Sequence, residues 1–158
     1  MKTTFITDTQ EIDDIINSCQ SCVVSFGSNE PYALPMNFAY RNPYIYMHSG
    51  PEEGHKLELL VKNPNVCVVF MSPNQKLVYQ HPDVGCSYSM NAKSAVAFGA
   101  VEFVEESTEK REIMDYFMKH YTAHPVSYGE AAIAHVKVWK IKIDKLTAKH
   151  FGQSQKNY

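Results

Sequence analysis

The stretch Tyr44-Ile-Tyr-Met-His-Ser-Gly-Pro-Glu-Glu-Gly-His-Lys-Leu-Glu-Leu-Leu-Val-Lys-Asn-Pro64 decides how the chain is read. Its first five residues alternate as a strand does, its centre is a Gly/Pro loop, and His55 and Lys56 open a short amphipathic helix in which Leu57, Leu60 and Val61 share a face. Asn63-Pro64 ends that helix, because the residue before a proline is pushed out of the helical region. The first turn of a helix has unpaired N–H groups and carries the positive end of the macrodipole. A basic pair placed there makes the strand-loop-helix junction suited to a phosphate. Taken alone, Lys56 reads more simply as a solvated helix lysine.

Working outward, Asp8 with Glu11 resembles a capping box, and Ile12, Ile15, Ile16 and Cys19 follow at helical spacing, so a helix is expected over Asp8 to Cys19. Cys22 to Phe26 reads as a buried strand closed by the turn signal Gly27-Ser28-Asn29-Glu30-Pro31. Tyr32 to Tyr40 is read as one strand with unequal faces. Tyr32, Leu34, Met36, Phe38 and Tyr40 make a bulky face that belongs in a core, and Ala33, Pro35, Asn37 and Ala39 make a small face against which something flat could lie. Pro35 removes a ladder donor, which marks an interruption, an edge or a bulge.

Beyond the junction, Val66 to Met71, Lys76 to Tyr79, Lys93 to Glu105 and His135 to Ile143 read as strands. A helix capped by Ser107 or Thr108 carries Ile113, Met114, Phe117, Met118 and Tyr121. Gly99 among small residues suggests a bend or a close backbone approach. Thr122 to Tyr128 reads as irregular, and the polar tail from Lys145 to Tyr158 is expected to fray. The expected layout is α+β and mainly antiparallel, a small barrel of about six strands with flanking helices in one domain. No Gly-x-Gly-x-x-Gly opens a helix, so a Rossmann dinucleotide site is not expected.

The 158 residues suffice for a sizeable core, since a domain of about 150 residues buries roughly 68–70% of its unfolded surface. Fifteen Lys and Arg against seventeen Asp and Glu give a net charge of −2 with no basic stripe, which argues against nucleic acid. The apolar runs are far short of the ~20 residues that span a bilayer, so no membrane partner is expected and a cytoplasmic location is. Cys19 and Cys22 form Cys-x-x-Cys, but Cys19 falls at a helix C-terminus, where the dipole opposes a thiolate, so two structural thiols are the plainer reading. His120 and His124 lie four apart, yet Pro125 ends the helix there and no third ligand is evident, so no metal is expected.

Three segments carry a family resemblance: Tyr32-Ala-Leu-Pro-Met-Asn-Phe-Ala-Tyr40 with Ile45-Tyr-Met-His-Ser49; Gly54-His-Lys-Leu57 with Asn63-Pro-Asn-Val66; and Ser94-Ala-Val-Ala-Phe-Gly99 with Val101-Glu102. Their order and spacing, from about residue 10 to 145, resemble the FMN-binding split-barrel proteins related to pyridoxamine 5′-phosphate oxidase, and among these the 5-nitroimidazole-resistance flavoproteins most. The resemblance implies a homodimer of split barrels with FMN, or alternatively FAD, at the subunit interface. It places the ring against Leu34, Pro35, Met36, Asn37 and Phe38 and the phosphate at His48, Ser49, Gly54, His55 and Lys56. Asn91 and Ser94 match a segment that approaches the partner's flavin. Relatives commonly have Arg-Lys at the turn, where this chain has His55-Lys56, which leaves Lys56 the surer phosphate ligand. His48 matches a histidine near the flavin and is the candidate catalytic residue. The implied activity is FMN-dependent reduction of nitroaromatic or related small electrophiles with electrons from NAD(P)H or a carrier. An electron-carrier module, or a split barrel holding haem or a deazaflavin, are the alternatives.

Overall fold

The computed structural model describes residues 2–52 and 54–153. Its chain order is β1 (Lys2–Ile6), α1 (Thr9–Asn17), β2 (Cys22–Phe26), β3 (Tyr32–Met36), β4 (Ala39–Arg41), β5 (Tyr44–Ser49), α2 (His55–Lys62), β6 (Asn65–Met71), β7 (Lys76–Tyr79), β8 (Tyr88–Val104), α3 (Ser107–Tyr121), α4 (Glu130–His135) and β9 (Lys137–Gln153). All pairings are antiparallel. The main path runs β3-β2-β6-β8-β9-β5-β4, with β1 added to β9 and β7 to β8. This is the α+β split barrel expected, built on nine described strands rather than about six.

The extra strands have physical causes. Residues from Lys145 to Gln153 are not a fraying tail, because β9 runs on as a strand hydrogen-bonded to β8 on one side and β1 on the other. A polar segment is held in a sheet when both its edges are paired and alternate side chains face water, which the apolar count of the tail did not reveal. Residues 154–158 lie outside the described part. β8 likewise starts at Tyr88, five residues before the expected Lys93, where it pairs with β7. The short helix α4 occupies a stretch too brief to show a period, and Glu106 replaces Ser107 and Thr108 as the cap of α3, its carboxylate accepting from the N–H groups of Thr108 and Glu109 at 2.9 and 2.6 Å.

The expected single strand over Tyr32 to Tyr40 is broken at Asn37 and Phe38 into β3 and β4. At the break the Tyr121 hydroxyl of α3 accepts from the Phe38 N–H at 2.9 Å and faces the carbonyls of Phe38 and Gln20, each at 3.0 Å. A side chain thus satisfies backbone groups that would otherwise call for a ladder partner. Pro35 sits in register opposite Val23 on the outermost strand of the path, so its missing N–H costs no ladder bond.

The alternation of β3 holds. Leu34 and Met36 pack on the main core with fully buried Phe38, and Ala33, Pro35 and Asn37 are exposed. That core gathers α1 and the inward residues of β2, β5, β6, β8 and β9, Trp139 among them; a second cluster of Tyr46, Val104, Ile113, Phe117 and Val138 seats α3. Asp8 caps α1 by accepting from the Glu11 N–H at 2.7 Å, and Tyr40 ties β4 to α1 through Asp13 at 2.6 Å.

Gly99 lies where the β8–β9 register shifts. A Cβ there would stand 2.1 Å from the Lys142 carbonyl oxygen and 2.9 Å from Ile141 Cγ2, so the close approach expected of it is real. Gly99→Ala is expected to cost about 2 kcal/mol or more, because backbone has to move to admit the methyl group. Urea unfolding of the variant checks this, and an unchanged midpoint would contradict it.

Candidate functional site

β5 delivers Ser49 to the edge of a cavity of about 450 Å³, and the loop after it returns the chain at Gly54 into α2. Ser49, Gly54, His55, Lys56 and Leu34, all expected from the sequence, line this one cavity, together with Tyr32 and the loop residues Gly50, Pro51 and Glu52. Ser49 is 7% exposed, and its Oγ is buried without a hydrogen-bond partner among the described residues. Among the described residues no side chain caps α2, whose cap residue is Gly54. A buried hydroxyl awaiting a partner, an uncapped helix N-terminus and the Lys56 ammonium therefore meet at one hollow. That donor set suits a phosphate monoester.

His55 is held by two neighbours. Its ring meets Tyr32 edge-on with centroids 4.7 Å apart, and its Nδ1 lies 3.7 Å from Glu58. His48 turns away from the cavity. Its ring packs edge-on against Phe117 of α3 at 4.5 Å, beside the second cluster, while Ser49, the next residue along the strand, faces the hollow. Burial, and after it the charge of Lys56, lowers the His48 pKa from its ordinary 6.5, so the ring is neutral at pH 7. Its Nδ1 is buried and unpartnered among the described residues.

The small face of β3 continues across the sheet. Pro35, Val23, Val69 and Val96 form one cross-strand row on the outside of the barrel, and Ala33, Ser25, Cys67 and Phe98 form the next. Val23 and Phe98 are 42% and 41% exposed, and Met71, opposite Ser94, is 44% exposed. Ser94 thus belongs to this surface and not to the cavity at α2. Asn91 is engaged elsewhere: its side-chain oxygen lies 3.1 Å from His150 Nε2, at the β7-paired end of β8. The structure brings Ser49, Gly54, His55 and Lys56 together and leaves His48, Asn91 and Ser94 apart from them.

The pyridoxamine 5′-phosphate oxidase family model matches residues 8–150. The chain belongs to that family. A structurally similar relative from Bacteroides thetaiotaomicron, assigned provisionally to 5-nitroimidazole antibiotic resistance, shares 46% identity over 94% of this chain and 87% of its own, with a TM-score of 0.84. The same fold occurs in a flavocytochrome of Azotobacter vinelandii, at 14% identity over 98% of this chain and 72% of that one, with a TM-score of 0.80. It also occurs in an FAD- and haem-binding protein of Mycobacterium smegmatis, at 18% identity over all of this chain and 77% of that one, with a TM-score of 0.81. No curated protein matches the chain.

Among the described residues there is no group of three His, Cys, Asp or Glu placed to hold a metal ion, and no helix long and apolar enough to cross a membrane. His120 is used structurally, with its Nε2 2.8 Å from the Cys19 carbonyl. Burial raises the pKa of Cys19 and pushes that of Cys22 up to about 12, against a thiolate role. Sequence reasoning missed Tyr32 as a cavity wall and Tyr121 as the pin of the β3 break. The alternation on β3 held the signal for Tyr32, which shares a face with Leu34. Nothing local marks Tyr121, because its partners are distant in sequence.

In an NMR pH titration, His48 should show a midpoint below 6.5 that rises in Lys56→Met, since that charge disfavours protonation. A depressed histidine pKa means that the unfolded chain binds the proton first. The His48 contribution to stability is therefore complete above about pH 6.5 and declines as pH falls toward its folded-state pKa. A midpoint at or above 6.5 would contradict the placement of both residues.

Proposed function

We propose that this protein is an FMN-dependent oxidoreductase that reduces nitroaromatic or related small electrophiles with electrons from NAD(P)H. The observation that carries the reading is the convergence of Ser49 Oγ, unpartnered among the described residues, the start of α2 and Lys56 on one hollow walled by Tyr32 and Leu34 of β3. The 46% identical relative, assigned provisionally to 5-nitroimidazole resistance, supports the choice of substrate class.

In this reading Lys56 and the first-turn amides of α2 neutralise the phosphate, Ser49 donates to it, and His55, fixed by Tyr32 and Glu58, adds one donor. The exposed face of Ala33, Pro35 and Asn37 receives the ring, with Leu34, Met36 and Phe38 stiffening the strand from behind. Bound flavin would supply the hydride and electron chemistry itself, so the chain needs to orient, shield and hold protons and little more. His48 enters as a neutral imidazole with an uncommitted nitrogen, one residue from the cavity wall.

The apolar rows outside the barrel and the ribbon of β7 and the start of β8, where Leu77 and Tyr79 are 64% and 55% exposed, give a second copy a surface to cover. A homodimer seated there would bring Ser94 of one subunit toward the other's ring. Phe98→Glu is expected to convert the dimer to a monomer in light-scattering chromatography and to reduce flavin retention with it. A dimer unchanged by this variant would place the interface elsewhere.

Mass spectrometry of ligand released from the native protein should give FMN. Lys56→Ala should retain the fold and lose flavin affinity by roughly ten- to a hundredfold, the range for one charged hydrogen bond. A full flavin complement in Lys56→Ala would sink the phosphate assignment. The purified flavoprotein should bleach with NAD(P)H and reoxidise on adding metronidazole; bleaching without reoxidation would point to an electron carrier.

A further inference from the structure

On the far side of α2 a cavity of about 400 Å³ lies between α2, the end of β8, α3, the end of α4 and the start of β9. Its size falls within the range of small-molecule sites. Leu57, Val61 and Phe103 give it an apolar wall, and Lys110 and Lys137 give it two ammonium groups.

Lys110 is the unusual member. It is 6% exposed, and its Nζ donates to the Val136 carbonyl at 3.0 Å. That bond accounts for one of its three donors. Among the described residues neither Lys110 nor Lys137 has a carboxylate within 4.0 Å. Lysine is almost never buried without a counter-charge, since removing an ammonium from water is costly unless an anion accompanies it. Glu105 lines the cavity too but is exposed and makes no ion pair among the described residues, and His135, also exposed, has its Nδ1 2.7 Å from the Ala131 carbonyl. Val61 is 80% exposed, an apolar side chain with no cover beside a buried cation.

We propose that this cavity binds a small organic carboxylate with an apolar body, the carboxylate on Lys110 and Lys137 and the body on Leu57, Val61 and Phe103. A buried cation next to bare hydrocarbon selects for both parts at once. Small inorganic anions lack the body, and neutral aromatics lack the charge. The site is separate from the hollow at Ser49 and Lys56, and stands whether or not flavin binds there.

Isothermal titration of the full-length protein as purified, with benzoate as probe, tests this. The expected result is saturable binding with a dissociation constant of about 1 mM or tighter, and at least tenfold weaker binding of acetate, inorganic phosphate and benzyl alcohol. Lys110→Gln keeps a donor for Val136 and removes the charge, and should weaken benzoate about tenfold; Val61→Glu, at an exposed position, should do the same without lowering the unfolding midpoint. Should Lys110→Gln fail to fold, Lys137→Gln and Val61→Glu decide the matter. Absence of saturable benzoate binding would overturn the proposal, as would phosphate binding as tightly as benzoate. So would an unchanged benzoate affinity in the folded variants.

Discussion

The antiparallel ladder between β8 and β9 is what the remaining elements depend on. These strands span seventeen residues each and pair from Ala92 opposite Phe151 to Val104 opposite Val138. β6 and β7 attach to β8, and β1 and β5 attach to β9. Two strands this long cannot remain flat, because twist accumulates along them. The shifted register at Gly99 turns the pair into the wall of a barrel, and the near-contact with the Lys142 carbonyl explains why a residue without a side chain stands there.

From that spine the location of the candidate site follows. β5 borders β9 over its first residues, so the end of β5 arrives beside Lys137 and its loop has to turn away into α2. On the opposite flank β6 hangs from β8 and carries β2 and then β3, which becomes a sheet edge with one face in the core and one face bare. The polar hollow is walled by Tyr32 and Leu34, and the bare strip of Ala33, Pro35 and Asn37 lies on the other face of the same strand.

Much of this was legible from local patterns. The alternation in Tyr32 to Asn37 gave the correct inward and outward residues, whereas Ala39, expected on the small outward face, is buried in the second cluster because the break at Asn37 and Phe38 turns β4 toward α3. The strand-loop-helix character of Tyr44 to Lys62 was equally plain, since the change of period and the Gly/Pro loop are local signals. What local pattern could not convey was pairing at a distance. The polar residues from Lys145 to Gln153 are strand because β1 and β8 flank them, and β1 itself was too short and mixed to read. The orientation of His48 was misleading for a related reason. Its place in the chain is next to Ser49, and in a strand adjacent residues point to opposite sides, so the one at the hollow excluded the other.

The two thiols of the Cys-x-x-Cys also have a chemical character set by their burial. Burial pushes the Cys22 thiol up to about 12 and shifts Cys19 in the same direction, so at neutral pH both stay as protonated thiols. A side chain in that state is a poor nucleophile toward electrophiles and a slow target for peroxide. Burial of both thiols thereby also confers chemical inertness, keeping alkylation and oxidation out of the barrel core.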